Sequence, residues 1–401
     1  MQEIIAPGAV SRGRDIDQIV AWLVDGARSA PNAEDVLTEL CDRLVACGIP
    51  LWRVAVFVWT LHPELLGRRF LWRPGEGTQI AAAPHERAHS DEFRQSPVLR
   101  IAAHPVPIRR RLADPDCPKD FAVLEEFRAE GITDYYAAPL AFSNGEMNAA
   151  TFSTRQEGGF SDAEFAAIEA VIAPLARTAE VRALRRVAVN LLDAYVGHES
   201  GERILAGRIR RGDTEVIRAA IWLSDMRGFT ARADSMEPHD LIALLNRFFD
   251  CQVPAILEHG GEVLKFMGDG LLAIFRMGRD ADEAAVCAKA LAAARQARER
   301  IVALAAGDAA SGQESIRFGL ALHVGEALYG NIGGGGRLDF TCIGPAVNLA
   351  ARLEKVASRL GRMILASRSF AQHLPGDFAA LGEFELRGFR ATETAFGLRD
   401  E

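Results

Sequence analysis

The stretch Gly260–Phe275, GGEVLKFMGDGLLAIF, decides how the second half of the chain is read. Val263–Met267 and Leu271–Phe275 are apolar runs long enough for strands. Gly268-Asp269-Gly270 between them has the chemistry of a tight hairpin turn. A carboxylate at Asp269 would then sit at the tip of a rigid hairpin, exposed. Upstream, Glu215–Asp225 (EVIRAAIWLSD) is an apolar strand ending in an acid, followed by Met226-Arg227-Gly228-Phe229-Thr230. Pro238 then opens a helix with Leu241, Leu244, Leu245 and Phe248 on one face. Two aspartates held on a sheet in this way can bind hard cations through oxygen. Taken singly, Asp-Gly is also a good turn and Asp225 a good helix cap.

Downstream, Ile316–His323 is another alternating strand, followed by GEALYGNIG. Gly333–Gly336 is a glycine run with no Lys-Ser/Thr after it, so it is a turn or arm rather than a P-loop. Residues 339–354, DFTCIGPAVNLAARLE, pass from a strand into a helix. Asn348 and Arg352 are four apart and share one helical face. By themselves they read equally as a solvated amide and guanidinium.

Four blocks, WLSDMRGFT, GGEVLKFMGDGLLAIF, GLALHVGEALYGNIG and DFTCIGPAVNLAARLE, resemble the catalytic domain of class III nucleotide cyclases in order and spacing. The resemblance covers residues 214–399 and implies a ferredoxin-like α+β domain. It implies Asp225, Met226 and Asp269 at the metal position, with two Mg²⁺ or Mn²⁺ ions per site. Lys265 and Thr341 match the two base-recognition positions, and Phe229 is placed beside the substrate. Asn348 matches the residue that orients the ribose, and Arg352 the one that stabilises the transition state. The family's C-terminal lysine near the triphosphate has no counterpart in FELRGFRATETAFGL, where Arg387 or Arg390 would have to serve. Pro345 stands where the family often carries Asp or Asn, and it begins a helix well. The family divides each site between two catalytic domains. A chain with both halves implies a symmetric homodimer with two equivalent sites.

The implied reaction is adenylate cyclisation: the ribose 3′ oxygen of ATP attacks the α-phosphorus and expels pyrophosphate. A lysine donates to adenine N1, and a threonine hydroxyl accepts from N6. Thr341 could equally donate to guanine O6, so guanylate cyclase is the alternative. A catalytically inactive nucleotide-binding or dimerisation module is the reading from another class. A diguanylate cyclase would carry a GGDEF-like turn, which Gly268-Asp269-Gly270 is not.

The first half has a different pattern. Residues 1–15 lack one and read as a flexible tail. Asn32 caps a helix carrying Val36, Leu37, Leu40, Leu44 and Cys47, with Gly48 as its stop. Trp52–Trp59 reads as a strand, with Arg69–Arg73 as a possible partner. A polar stretch from Pro74 to Asp134 holds a short helix near Phe121–Ala129. Tyr135–Leu140 and Met147–Ser153 read as strands joined by a turn at Ser143-Asn144-Gly145. Ser161 and Glu164 form a capping box, with Phe160 and Phe165 as a hydrophobic staple. This order, with YYAAPLAFSNGEMNAATF at 135–152, resembles a GAF-type α/β sensor domain over residues 16–180. Such a domain implies a small-molecule or protein regulator, which the sequence does not name. Residues 181–213 read as a helical linker rich in arginine (Arg182, Arg185, Arg186, Arg203, Arg208, Arg210, Arg211). That run is either a phosphate-binding arm or the solvated face of a connecting helix. Arg109-Arg110-Arg111 poses the same choice.

Composition bounds the rest. A length of 401 residues suggests about two to three domains. With 49% hydrophobic and 25% charged residues, extensive disorder is excluded. A net charge of −8 argues against nucleic acid as the main partner. The six cysteines form no CxxC pair, so neither a zinc knuckle nor a disulfide framework is indicated. No apolar run is long enough to span a bilayer, and MQEIIAPGAV has no basic start, so the expected compartment is the cytoplasm. Only Lys119, Lys265, Lys289 and Lys355 are lysines, which makes Lys265 beside the hairpin stand out.

Overall fold

The computed structural model describes residues 7–310 and 316–401. The chain divides into two compact units, Met1–Leu191 and Leu192–Glu401. Both mix helices with sheet: the first sheet is antiparallel, and the second is antiparallel except for one parallel pair.

The first unit opens with helix α1 (Pro7–Val24), which begins inside the stretch read as a flexible tail; residues 1–6 lie outside the described residues. Ile16, Ile19 and Leu23 are buried at helical spacing, so α1 has a core-facing side. Helix α2 (Ala33–Ala46) follows, capped by Asn32, with Val36, Leu37, Leu40 and Leu44 inside. Strands β1 (Arg53–Trp59), β2 (Leu65–Arg73) and β3 (Gly77–Pro84) form a meander. Short helices α3 (Asp91–Arg94) and α4 (Pro97–Ala103), strand β4 (Ile108–Arg111) and helix α5 (Val123–Ala129) lead to β5 (Asp134–Ala141) and β6 (Met147–Thr154). The sheet order is β3-β2-β1-β6-β5-β4, antiparallel throughout.

Strands β3 and β4 therefore lie where the sequence reading had one polar loop. Both are sheet edges, and their sequences GTQIAAAP and IRRR lack the apolar alternation of a half-buried strand. Alternation along β5 sends Tyr136, Ala138 and Leu140 to one face and Tyr135 and Ala137 to the other, giving two cores.

Helix α6 (Asp162–Val196) starts at the expected capping box: the Ser161 N–H donates to Glu164 at 2.9 Å, and the Glu164 N–H to the Ser161 hydroxyl at 3.4 Å. It continues past Pro174. The arginine triplet is not a free anion site. Arg109 donates to buried Asp134 at 2.7 Å, and Arg110 pairs with Asp120 at 2.5 Å.

The second unit contains α7 (His198–Leu205), β7 (Thr214–Met226), α8 (Phe229–Ser235), α9 (Pro238–Asp250) and α10 (Val253–Glu258). The hairpin β8 (Glu262–Met267) and β9 (Gly270–Met277) follows, then the long helix α11 (Glu283–Ala310). Next come β10 (Phe318–Gly334), β11 (Arg337–Ile343) and α12 (Pro345–Leu360). The chain ends with β12 (Ile364–Ser367), α13 (Arg368–Ala371), β13 (Phe378–Phe384) and β14 (Glu393–Leu398). The sheet order is β13-β14-β12-β10-β7-β9-β8, with β11 paired to β10. Of the glycine run at 333–336, Gly333 and Gly334 end β10 and Gly335-Gly336 form the turn of the β10–β11 arm.

Central strand β7 is covered on both faces. Ala220 and Trp222 join one core with Phe248, Ile256 and Ala294, while Ala219, Ile221 and Leu223 join another with Ala346 and Ala350 of α12. Hence the strand reads as nearly unbroken apolar sequence. Helix α7 is held by buried hydrogen bonds: Ser200 donates to Glu262 at 2.9 Å, and the Tyr329 hydroxyl donates to the same carboxylate at 2.8 Å. Among the described residues, no helix is long and apolar enough to cross a membrane.

Candidate active site

The end of β7 and the β8–β9 turn converge. Asp225 lies opposite Gly270 in the β7–β9 register, and the Met226 N–H donates to the Asp269 carbonyl at 3.2 Å. Gly268 adopts φ 68°, the left-handed conformation the turn requires. The two aspartate side chains hydrogen-bond to each other. Asp269 is half-buried rather than exposed, because its turn folds back onto the end of β7.

Burial first, and then the adjacent Asp269, push Asp225 up to about 7. Two crowded acids with no cation beside them are the donor set a hard divalent ion would relieve. Among the described residues, no cluster of three or more His, Cys, Asp or Glu side chains suited to a metal occurs. The fit is therefore to an ion completing its shell with water and ligand phosphate, as Mg²⁺ commonly does. The Met226 side chain is 3% exposed and belongs to the core, so only its backbone is available at this position. Phe229, the first residue of α8, packs partly buried against that core.

Lys265 on β8 reaches β11 at Asp339, two residues before Thr341. Lys265 Nζ lies 2.8 Å from Asp339 Oδ2, and Asp339 and Thr341 point to the same face of their strand. The Thr341 hydroxyl is buried and, among the described residues, has no hydrogen-bond partner. A bulge at Leu264 interrupts the strict alternation expected along Val263–Met267.

Asn348 is exposed and Arg352 half-buried on α12, while Ala346, Ala350 and Leu353 of the same helix are buried. Among the described residues, neither joins Asp225 or Asp269 through a hydrogen bond or ion pair. Arg387 and Arg390 are exposed in the loop between β13 and β14 and make no ion pair among the described residues.

The C-terminal unit thus holds an acidic pair, a lysine–threonine pair and an amide–guanidinium face. Residues 214–399 match the family model described as "Adenylate and Guanylate cyclase catalytic domain". The match is to this stretch, a little under half of the chain. The chain is 32% identical over 166 residues to an adenylate cyclase of Anabaena cylindrica, covering 41% of this chain and 32% of that protein. It is 31% identical over 148 residues to adenylate cyclase 1 of Rhizobium meliloti, covering 36% and 21%. The chain thus spans about a third or less of these curated relatives. A solved structure, the adenylyl cyclase CyaB from P. aeruginosa, aligns at 25% identity and a TM-score of 0.40, covering 47% of this chain and 96% of that one.

Within the cyclase domain the structure adds a lock that sequence reasoning missed. Arg227, two residues past Asp225, donates to Glu354 of α12 at 2.7 Å. Glu354 is 3% exposed. Burial raises its pKa, and Arg227 opposes that rise. Gly319 makes room for the lock: a Cβ there would lie 1.6 Å from the Arg227 guanidinium. Both charged residues stand in the motif blocks, but nothing in the sequence pairs two positions 127 apart. Gly319→Ala is expected to displace Arg227, leave Glu354 buried without its partner and cost on the order of 1–3 kcal/mol. Thermal unfolding reads this directly, and an unchanged Tm would show that Arg227 can move freely.

Proposed function

We propose that the chain is an adenylate cyclase that forms 3′,5′-cyclic AMP and pyrophosphate from ATP, acting as a homodimer with two equivalent interfacial sites. The observation carrying this reading is the paired carboxylates of Asp225 and Asp269, held together by a strand end and a hairpin within a domain of the cyclase family. Asp225 and Asp269 would hold Mg²⁺ or Mn²⁺, with Met226 contributing through its backbone. When bound, the ions supply charge neutralisation for the triphosphate and polarisation of the ribose 3′ oxygen.

The chain's own residues do the rest. Lys265 donates to adenine N1 and Thr341 accepts from N6. Asp339 holds Lys265 until the base takes its place. Phe229 flanks the substrate, Asn348 orients the ribose, and Arg352 offers a planar fork of donors to the charge that develops at phosphorus. Arg387 is the residue proposed for the triphosphate. Exposed Phe266, Met267, Leu338 and Ile343 on the hairpin and the β10–β11 arm support a partner domain covering this region.

Residues 16–180 are proposed as a GAF-like sensory domain, supported by their six-stranded antiparallel sheet with a core on each face. Residues 181–213 form the proposed linker and the cytoplasm the proposed compartment. A second reading, guanylate cyclase, is favoured by Thr341, whose unpartnered hydroxyl could donate to guanine O6. Purified chain assayed with ATP or GTP and Mg²⁺ or Mn²⁺ separates the two. Faster cyclic AMP formation is expected, faster cyclic GMP formation would overturn the choice of purine, and no product from either would favour an inactive module.

A further inference from the structure

A cavity of about 520 Å³ opens in the N-terminal unit between the start of α2, strands β1 and β2 and the helix α6. That size suits a small molecule. Its apolar lining includes Leu37, Val56, Val58, Phe70, Ile80 and Leu175. Its polar lining is dominated by four arginines: Arg68, Arg182, Arg185 and Arg186.

These guanidiniums are not balanced by acids. Arg182 donates to backbone carbonyls, including that of Ala30 at 2.8 Å. The Arg68 Nε is buried without a hydrogen-bond partner among the described residues. Among the described residues, Arg68, Arg185 and Arg186 take part in no ion pair. Burial, and then neighbouring Arg186, hold Arg68 below the usual guanidinium range, with Glu34 pulling the other way. Glu34 is the only acid in the lining.

The partly buried Arg68, with two exposed guanidiniums in the same lining and no ion pair to satisfy it, favours an anion, and the anion's apolar part then has somewhere to go. We propose that this cavity binds an amphipathic anion: a carboxylate or phosphate monoester carried on an apolar chain. Such a ligand would give the sensory role proposed above its chemistry. Because binding is read at the cavity itself, cyclase activity does not enter the test.

Trp59 lines the cavity and supplies the readout. Full-length protein is titrated with 12-bromododecanoate below its micelle concentration, the bromine quenching a tryptophan it touches. Saturable quenching is expected, and it should vanish in Trp59→Phe. Unbrominated dodecanoate and dodecyl phosphate should each compete the probe away, and their relative strengths tell a fatty acid from an alkyl phosphate. Neutral dodecanol and inorganic phosphate should each compete at least about tenfold less well. Arg68→Met is expected to weaken binding by at least about tenfold, and Arg186→Gln, an exposed position that should not disturb folding, in the same direction. Quenching that persists in Trp59→Phe would overturn the site. Dodecanol matching dodecanoate, or full affinity in both arginine variants, would overturn the anion. Inorganic phosphate matching dodecanoate would overturn the apolar component.

Discussion

Mixing Asp225→Ala protein with Arg352→Ala protein is expected to restore about a quarter of wild-type turnover, although each variant alone should fall by at least about a hundredfold. The expectation comes from the geometry of one chain. Glu354 is the residue of α12 that reaches the Asp225 loop, through Arg227. Arg352 lies two residues earlier, which turns it about 200° around the helix. It therefore faces away from the acids of its own chain, and if it acts on a substrate held at an Asp225–Asp269 pair, that pair belongs to another copy. In a head-to-tail dimer, the mixed pair gathers both defects into one site and leaves the other intact. Random exchange makes about half the dimers mixed, and each has one working site of two. Cyclic AMP formation, measured after subunit exchange is verified by a size-tagged chain, decides it. Mixed dimers that stay inactive would mean that both residues serve one site in the same chain.

The parts of this molecule that were legible in the sequence are local ones. The capping box at Ser161 and Glu164, the Gly268-Asp269-Gly270 turn and the apolar run of β7 depend on residues within a few positions of one another. Strands β3 and β4 were not legible, because an edge strand is defined by the neighbour it pairs with rather than by its own pattern. The long helix α11 carries no motif in its sequence.

At the site, the residue types were readable but their partnerships were not. Lys265 stands out as one of four lysines, yet its ion pair with Asp339 joins positions 74 apart. The Arg227–Glu354 lock likewise depends on β7, β10 and α12 being brought together, with Gly319 leaving the space. Asp269 was placed correctly at a turn, but its half-burial follows from the register of β9 on β7.

Asp269→Asn should abolish cyclase turnover and yet raise thermal stability when no divalent cation is present. Asp225 and Asp269 share a hydrogen bond, and Asp225 is raised to about 7 by burial and by that neighbour. An acid whose folded pKa is raised holds its proton more tightly in the folded chain than in the unfolded one, where the value is about 3.9. Its contribution is therefore most favourable below about pH 4 and is lost as pH rises through about 7. At pH 8 the wild-type protein carries the full repulsion. The substitution removes one charge and offers Asp225 an amide donor in place of the shared proton. After solvent screening of a half-buried pair, the gain is on the order of 1 kcal/mol, about 2–4 °C in Tm. The advantage should shrink as the pH falls towards 4. Millimolar Mn²⁺ should reverse the order, because a cation bound only by the folded wild-type pair stabilises it by mass action, while the variant, with half the carboxylate set, gains little. Unfolding scans of both proteins at pH 8, with and without Mn²⁺, test each step. A variant less stable than wild type without cation would show that the pair is already compensated, and equal Mn²⁺ responses would remove the cation from these two residues.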